Sequence, residues 1–317
     1  MRSERMIAWV TLGAAAIVIA AGCSSPAPTP VPGFVDNTGQ AAAAIAYPAG
    51  PYGVGVGSVI DNFDFLGFPD ATVNASTRTP IKLSDFYNPH AFDKTYMPAS
   101  PAEDDRLFPA SSGYAMAGKA KPTVLLIDIA CVWCVPCNEE AKTILPAQHA
   151  LYSECGGEFL LDLHDSNTPG TTATFSNLTN WTKSYKVNYP AVIDPEFRLD
   201  ALFSVSAFPN NVIVDTTTMK IVAKFAGEVP PTACGDAGAC TTDADCQTCQ
   251  GICNDDSAYC STDADCPASV GCGSFSCGDG TACSTSADCA SKTCSQFSFW
   301  ATYESHLDKT RTGCTLK

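Results

Sequence analysis

Residues 124–143 read VLLIDIACVWCVPCNEEAKT, and the reading of this stretch decides the fold. Val124 to Ala130 is an apolar run broken only by Asp128, the composition of a central strand buried on both faces. Asn138 to Glu154 reads as a helix, with Ala141, Ile144, Leu145, Gln148, Leu151 and Cys155 at helical spacing and Pro146 placed to kink it. Between them stands Trp133-Cys134-Val135-Pro136-Cys137. Two cysteines two residues apart at a strand-to-helix junction suit dithiol chemistry, because free N–H groups and the positive end of the helix dipole favour a thiolate on the first. A thiolate attacks disulfides and a thiol barely does. Cys134 is therefore expected as an exposed, acidic nucleophile and Cys137 as the resolving thiol that releases the substrate. Cys131 adds a second reading, since Cys131, Cys134 and Cys137 have the C-x2-C-x2-C spacing of cluster ligands. Export and only four dispersed histidines argue against a metal site, and none is expected.

The evidence for export lies at the start of the chain. Arg2 and Arg5 precede an uncharged stretch from Met6 to Gly22, followed by Cys23 and an abrupt turn to Ser-Ser-Pro-Ala-Pro. The small residues before Cys23 resemble a bacterial lipoprotein signal, which implies that 1–22 are removed and Cys23 is lipidated; Ala20 stands where that pattern usually has Leu. The other reading is an uncleaved anchor, for which the stretch is short and Ala-rich. Residues 23–52 then form a lipid-anchored tether rich in Pro, Ala and Gly. Asp and Glu outnumber Lys and Arg by 33 to 18, giving a net charge of −15, which argues against a nucleic-acid partner. Eighteen cysteines in an exported chain indicate an oxidising compartment and structural disulfides.

Beyond the tether, 58–65 and 79–87 read as the two strands of an N-terminal β-hairpin, and 88–121 as a long surface loop. Glu158 to His164 reads as a strand. Thr171 to Lys186 reads as a helix with Phe175, Leu178, Trp181 and Tyr185 on one stripe. Residues 211–215 and 220–225 should pair antiparallel, and a last helix from about Gln296 to Arg311 carries Trp300, Tyr303, Leu307 and Thr310. Strands alternating with helices, then a hairpin and a helix, imply an α/β fold: a central mixed sheet with helices on both faces.

Strand, WCxPC, helix, strand, helix, then Phe208-Pro209 leading into a hairpin resembles the thioredoxin-like superfamily, and most the TlpA/ResA-type redoxins of bacterial envelopes. The likeness covers 53–231, the main part of the domain, and 295–317, its closing helix. It implies a thiol-disulfide oxidoreductase with no cofactor. Its partners would be exported proteins with thiols or disulfides and a redox donor protein, met at the cell envelope with the membrane held through the lipid anchor. Trp133 and Pro136 match the redoxin signature. Asp128 stands where thioredoxins keep a buried carboxylate; buried, its pKa should rise, suiting it to accept a proton from Cys137 through a water. Otherwise it caps the strand and faces solvent. Phe208-Pro209 matches the cis-proline that faces the dithiol and hydrogen-bonds an incoming chain, unless it is an ordinary trans proline opening a strand. Phe208 departs from the Thr, Val or Ile usual there. Absence of a histidine between the cysteines points towards a reductant or mid-range exchanger. The resemblance further implies a Cys155–Cys314 bridge, which leaves Cys131 as a buried free thiol.

From Cys234 to Cys294 twelve residues are cysteine, and CTTDADC (240–246), CSTDADC (260–266) and CSTSADC (283–289) are near copies. With their flanking cysteines they make three units of four in an insertion spanning 232–294, each suggesting two internal bridges. Asp243, Asp245, Asp263 and Asp265 alternate like calcium ligands, though solvated turns fit better because no complete loop of ligands is present. In the resembled fold this arm emerges beside Cys134, where it would restrict or recruit partners. Two other functions share parts of this pattern. A peroxiredoxin-type peroxidase would want Thr three residues before its cysteine, where Cys131 stands; a non-catalytic surface-binding lipoprotein would need no intact dithiol.

Overall fold

The run at 124–131 is the central strand of a seven-stranded mixed sheet. The computed structural model describes residues 34–35, 41–42, 46–71, 78–109, 118–203, 208–234, 250–253, 259–260, 272–276, 283, 289 and 294–316. Cys23, the expected signal segment and the four arm aspartates lie outside them. Within the tether, β1 (Phe34–Val35) and β2 (Ala41–Ala42) pair antiparallel. The main sheet comprises β3 (Asp64–Phe68), β4 (Thr79–Lys82), β5 (Val124–Cys131), β6 (Gly157–Asp165), β7 (Ala191–Ile193), β8 (Asn210–Asp215) and β9 (Lys220–Ala226), in the order β4-β3-β7-β6-β5-β8-β9. β5 runs parallel to β6 and antiparallel to β8, and all its residues are buried. A strand covered on both faces has no solvent side, which is why its sequence shows no alternation.

Four helices, α1 (Val135–Thr143), α2 (Leu145–Tyr152), α3 (Phe175–Tyr185) and α4 (Ser298–Glu304), pack one face around Leu126, Ala130, Leu161 and Leu163. The other face, with Leu125, Ile127, Ile129 and Leu160, is covered by 3-10 turns at Leu83–Phe86 and Arg198–Leu202 and by the chain around Tyr47 and Ile60. Tyr47 donates its hydroxyl to the Ile60 carbonyl at 2.9 Å, so the tether packs against the domain before its expected end at residue 52.

Several boundaries differ from the sequence reading, each for a physical reason. The helix expected over 138–154 is two helices that meet at Ile144, because Pro146 has no N–H to donate one turn back and its ring would strike the Lys142 carbonyl. The break resets the helical phase: His149 and Tyr152 turn inward and Leu151 is left 42% exposed. The N-terminal hairpin pairs 64–67 with 79–82, and residues 83–86 close as a 3-10 turn rather than continuing the strand. Gly67 is required there, since a Cβ would lie 2.2 Å from the Ala191 carbonyl oxygen of β7. β7 itself, three residues long, is too short to show a period. α3 starts at Phe175 because Thr174 and Asn177 form a reciprocal cap. The last helix ends at Glu304 instead of Arg311. The Asp308 N–H bonds the Cys155 carbonyl at 2.8 Å, drawing the chain off the helix axis and leaving Thr310 exposed.

That turn leads to Cys314, which is disulfide-bonded to Cys155 across 159 residues of chain with a Cα–Cα distance of 4.7 Å. Replacing both by serine is expected to lower stability by about 3 kcal/mol, because the unfolded chain regains the freedom of a long loop. Equal denaturation midpoints for oxidised wild type and the double variant would contradict this. At the root of the cysteine-rich arm, β10 (Thr232–Cys234) pairs antiparallel with a strand we number β14 (Cys294–Gln296), preceded in the chain by β11 (Gln250–Cys253), β12 (Tyr259–Cys260) and β13 (Cys272–Ser276), which form their own three-stranded sheet. The register sets residue 234, of the first expected unit, across from residue 294, of the third. Residues 253 and 272 face each other within the second unit.

Candidate active site

Cys134 is the N-cap of α1, with Pro136 in the first turn, where its missing N–H costs nothing. The two sulfurs of Cys134 and Cys137 are bonded, and the Cys137 N–H points at the Cys134 sulfur at 3.2 Å. In the reduced protein the same N–H and the helix N-terminus favour negative charge on that sulfur. Cys134 is only 3% exposed, against the expectation of an open sulfur. In the oxidised pair its sulfur is turned inward to Cys137, which is itself buried, and what reaches solvent is the neighbouring rim of Trp133, Val135 and Pro136.

Two side chains absent from the sequence reading fix this turn. Asn138 donates to the Val132 carbonyl at 3.2 Å and to the Cys134 carbonyl, and accepts from the Tyr185 hydroxyl of α3. Asp165, at the end of β6, accepts the Trp133 indole N–H at 2.9 Å and the Gly170 N–H at 2.8 Å. Trp133 in turn meets Phe208 edge to face, with ring centroids 6.0 Å apart. The Phe208–Pro209 bond is cis. The structure thus brings Trp133, Cys134, Cys137 and Phe208 into one neighbourhood although Phe208 is distant in sequence.

Asp128 does not face solvent. It lies two residues from both Leu126 and Ala130 along β5, so its side chain shares their sheet face, the one that carries the dithiol. Burial, with a contribution from the Asp162 charge, pushes its pKa up to about 8, and one carboxylate oxygen has no hydrogen-bond partner. Glu140, one turn beyond Cys137 on α1, is fully buried as well. It accepts from the Val229 N–H at 2.9 Å and from the Asn211 side chain at 3.2 Å, and its second oxygen is unpartnered. Burial first and the Asp128 charge second raise its pKa well above the usual carboxylate range. Burial thus favours the protonated form of both carboxyls near neutral pH. The signal for Glu140 was legible: Cys137, Glu140, Ala141 and Ile144 fall on one helical stripe, and a Glu there is turned inward.

Cys131 is free and fully buried at the end of β5. Burial raises its thiol pKa far above the ordinary value, despite an opposing bond from the Asp165 backbone. Such a thiol is inert. Cys131→Ala is expected to change exchange rates by less than about twofold, and alkylation of Cys131 to require denaturation; labelling of native protein at this position would show otherwise.

No family model and no curated protein matches the chain. Solved structures similar to it include a secreted thiol-disulfide isomerase from Corynebacterium glutamicum, 19% identical over 53% of this chain and 76% of that one, with a TM-score of 0.34. A thiol:disulfide interchange protein from Bacteroides sp. is 17% identical over 54% and 81%, at a TM-score of 0.34. The exposed lipoprotein thioredoxin of Streptococcus pneumoniae is 17% identical over 53% and 90%, at 0.31. With a seven-stranded mixed sheet covered by α-helices on one face and 3-10 turns on the other, and a cysteine pair at the start of the helix that leaves its central strand, the chain has a thioredoxin-like fold.

Proposed function

We propose that this protein is a thiol-disulfide oxidoreductase of the bacterial cell envelope, lipid-anchored through Cys23 and acting on exported proteins. The observation that carries the reading is the bonded Cys134–Cys137 pair at the N-terminus of α1, on the sheet face where Asp128 and Glu140 are buried. In the reducing direction, the Cys134 thiolate attacks one sulfur of a substrate disulfide. That bond breaks, one substrate cysteine leaves as a thiolate and takes up a proton, and a mixed disulfide forms. Cys137 then gives its proton to Asp128 in the molecules whose Asp128 carboxyl is ionised, a fraction that grows as pH rises towards 8, and attacks the Cys134 sulfur, releasing the second substrate thiolate, which takes up a proton. The substrate gains two electrons and two protons, and the Cys134–Cys137 bond reforms. A dithiol donor protein reopens it for the next cycle; the oxidising direction is the same sequence reversed.

The substrate seat is the rim of Trp133, Pro136 and Phe208 beside Pro209, where an extended chain can lie against the backbone. The cysteine-rich arm leaves from β10, a few residues after Val229, whose N–H holds Glu140, so partners gathered by the arm are delivered to this rim. Cys137→Ser in cells tests the reading. Exported proteins joined to Cys134 through reducible bonds are expected, and fewer of them when residues 235–293 are replaced by a short linker. An empty trap would overturn the enzyme assignment, and an unchanged set would overturn the role of the arm.

A further inference from the structure

Behind the aromatic rim lies a second cluster of titratable groups that the exchange chemistry does not use. His164, on β6, has a side chain only 4% exposed. Its Nε2 is 2.9 Å from the Asp200 carboxylate and its Nδ1 is 3.6 Å from that of Asp162. Its ring packs against Phe197 at 4.4 Å and against Phe208 at 5.5 Å between centroids. Phe208 is the residue that meets Trp133, so His164, Phe208 and Trp133 form a continuous row from the sheet to the dithiol rim.

We propose that His164 is a positioning residue which, in its protonated form, holds Phe208 against Trp133 and so sets the affinity for polypeptide substrates; the inference rests on the exchange reading given above. A protonated imidazole has a donor on each nitrogen, so Nε2 meets Asp200 at 2.9 Å while Nδ1 turns its proton and charge towards Asp162 across 3.6 Å. The neutral ring has one, so either Asp200 or Asp162 then faces a bare lone pair. Neither oxygen of Asp162 has a hydrogen-bond partner, and it is wholly buried, so the nearby imidazolium charge is what balances it; when that charge is lost the ring must turn or shift and its support under Phe208 changes. Everything that faces His164 favours the charged form. Asp162 and Asp165 lie on its own strand, Asp200 comes from the 198–202 turn, and Asp194, after β7, acts on Asp162. The guanidinium in this region, Arg198, is committed to Asp194 and Asp64. Burial lowers the His164 pKa, but the nearby Asp162 carboxylate first and then the charges of Asp200 and Asp165 outweigh it and leave the value raised.

Reduction of a disulfide-bonded polypeptide by the full chain, from pH 6 to 9, tests this together with the side-chain NMR signals of Phe208 and Trp133. In wild type KM is expected to rise about 10-fold as His164 loses its proton, with kcat following the dithiol alone, and both aromatic signals to share that titration. His164→Asn should show the high KM throughout and no shared titration. Asp200→Asn, at a surface position that tolerates change, should move the KM step and the aromatic titration down by about one pH unit. Wild-type KM and titration in both variants would overturn the inference. So would a fall in kcat with KM unchanged. A wild type that exchanges nothing at any pH would overturn the functional reading instead, while the NMR titration still decides whether His164 positions Phe208.

Discussion

Cys134→Ser is expected to reduce disulfide exchange by at least about a thousandfold, because serine's hydroxyl stays protonated at neutral pH and cannot displace a thiolate. The helix N-terminus that favours charge on sulfur cannot make up that gap, since its effect amounts to about 1 kcal/mol where partly screened. Cys137→Ser is expected to behave differently: the first attack proceeds and the second stops, so the product is a stable mixed disulfide rather than an inactive free enzyme. Stopped-flow reduction of a disulfide-bonded polypeptide separates the two. Similar first-attack rates in the two variants would contradict the assignment of nucleophile and resolving thiol. Folding should survive both substitutions, because the pair closes a loop of only three residues and adds little constraint to the unfolded chain.

Asp128→Asn is expected to stabilise the oxidised protein by about 5 kcal/mol at pH 8 and by almost nothing at pH 4. The sign follows from where the proton is held. The folded-state pKa of Asp128 is about 8 against 3.8 for an unperturbed carboxyl, so between those values the unfolded chain has released a proton that the folded chain retains. The burden of Asp128 on the fold is therefore absent below about pH 4 and grows as pH rises towards 8. Asp162, pushed up to about 6 mainly by burial, acts in the same direction over the lower part of that range. The same substitution removes the proton acceptor proposed for Cys137, and resolution of the mixed disulfide should slow by about 10-fold or more. Denaturant titrations of both proteins at pH 4 and 8 provide the check. A stability difference that does not change with pH would show that Asp128 is not a buried acid with a raised pKa.

The central strand, the helix after it and the Cys134–Cys137 pair were all legible from residues 124–143, because a strand covered on both faces, a helical stripe and a dithiol at a helix start each leave a local mark. Glu140 was legible by the same stripe. Tertiary structure alone decided the rest. It ended α4 where Asp308 bonds Cys155 and turned the sulfur of Cys134 inward, whereas the break at Ile144 was already marked by Pro146. It also brought Phe208 to the dithiol rim together with His164 and Asp165, which come from a separate segment, the end of β6. Period and spacing report which face of an element is apolar, and they carry no record of what that face will meet. A buried carboxylate or a supporting histidine gains its pKa and its role from groups tens of residues away, so its chemistry exists only once the sheet has assembled around it.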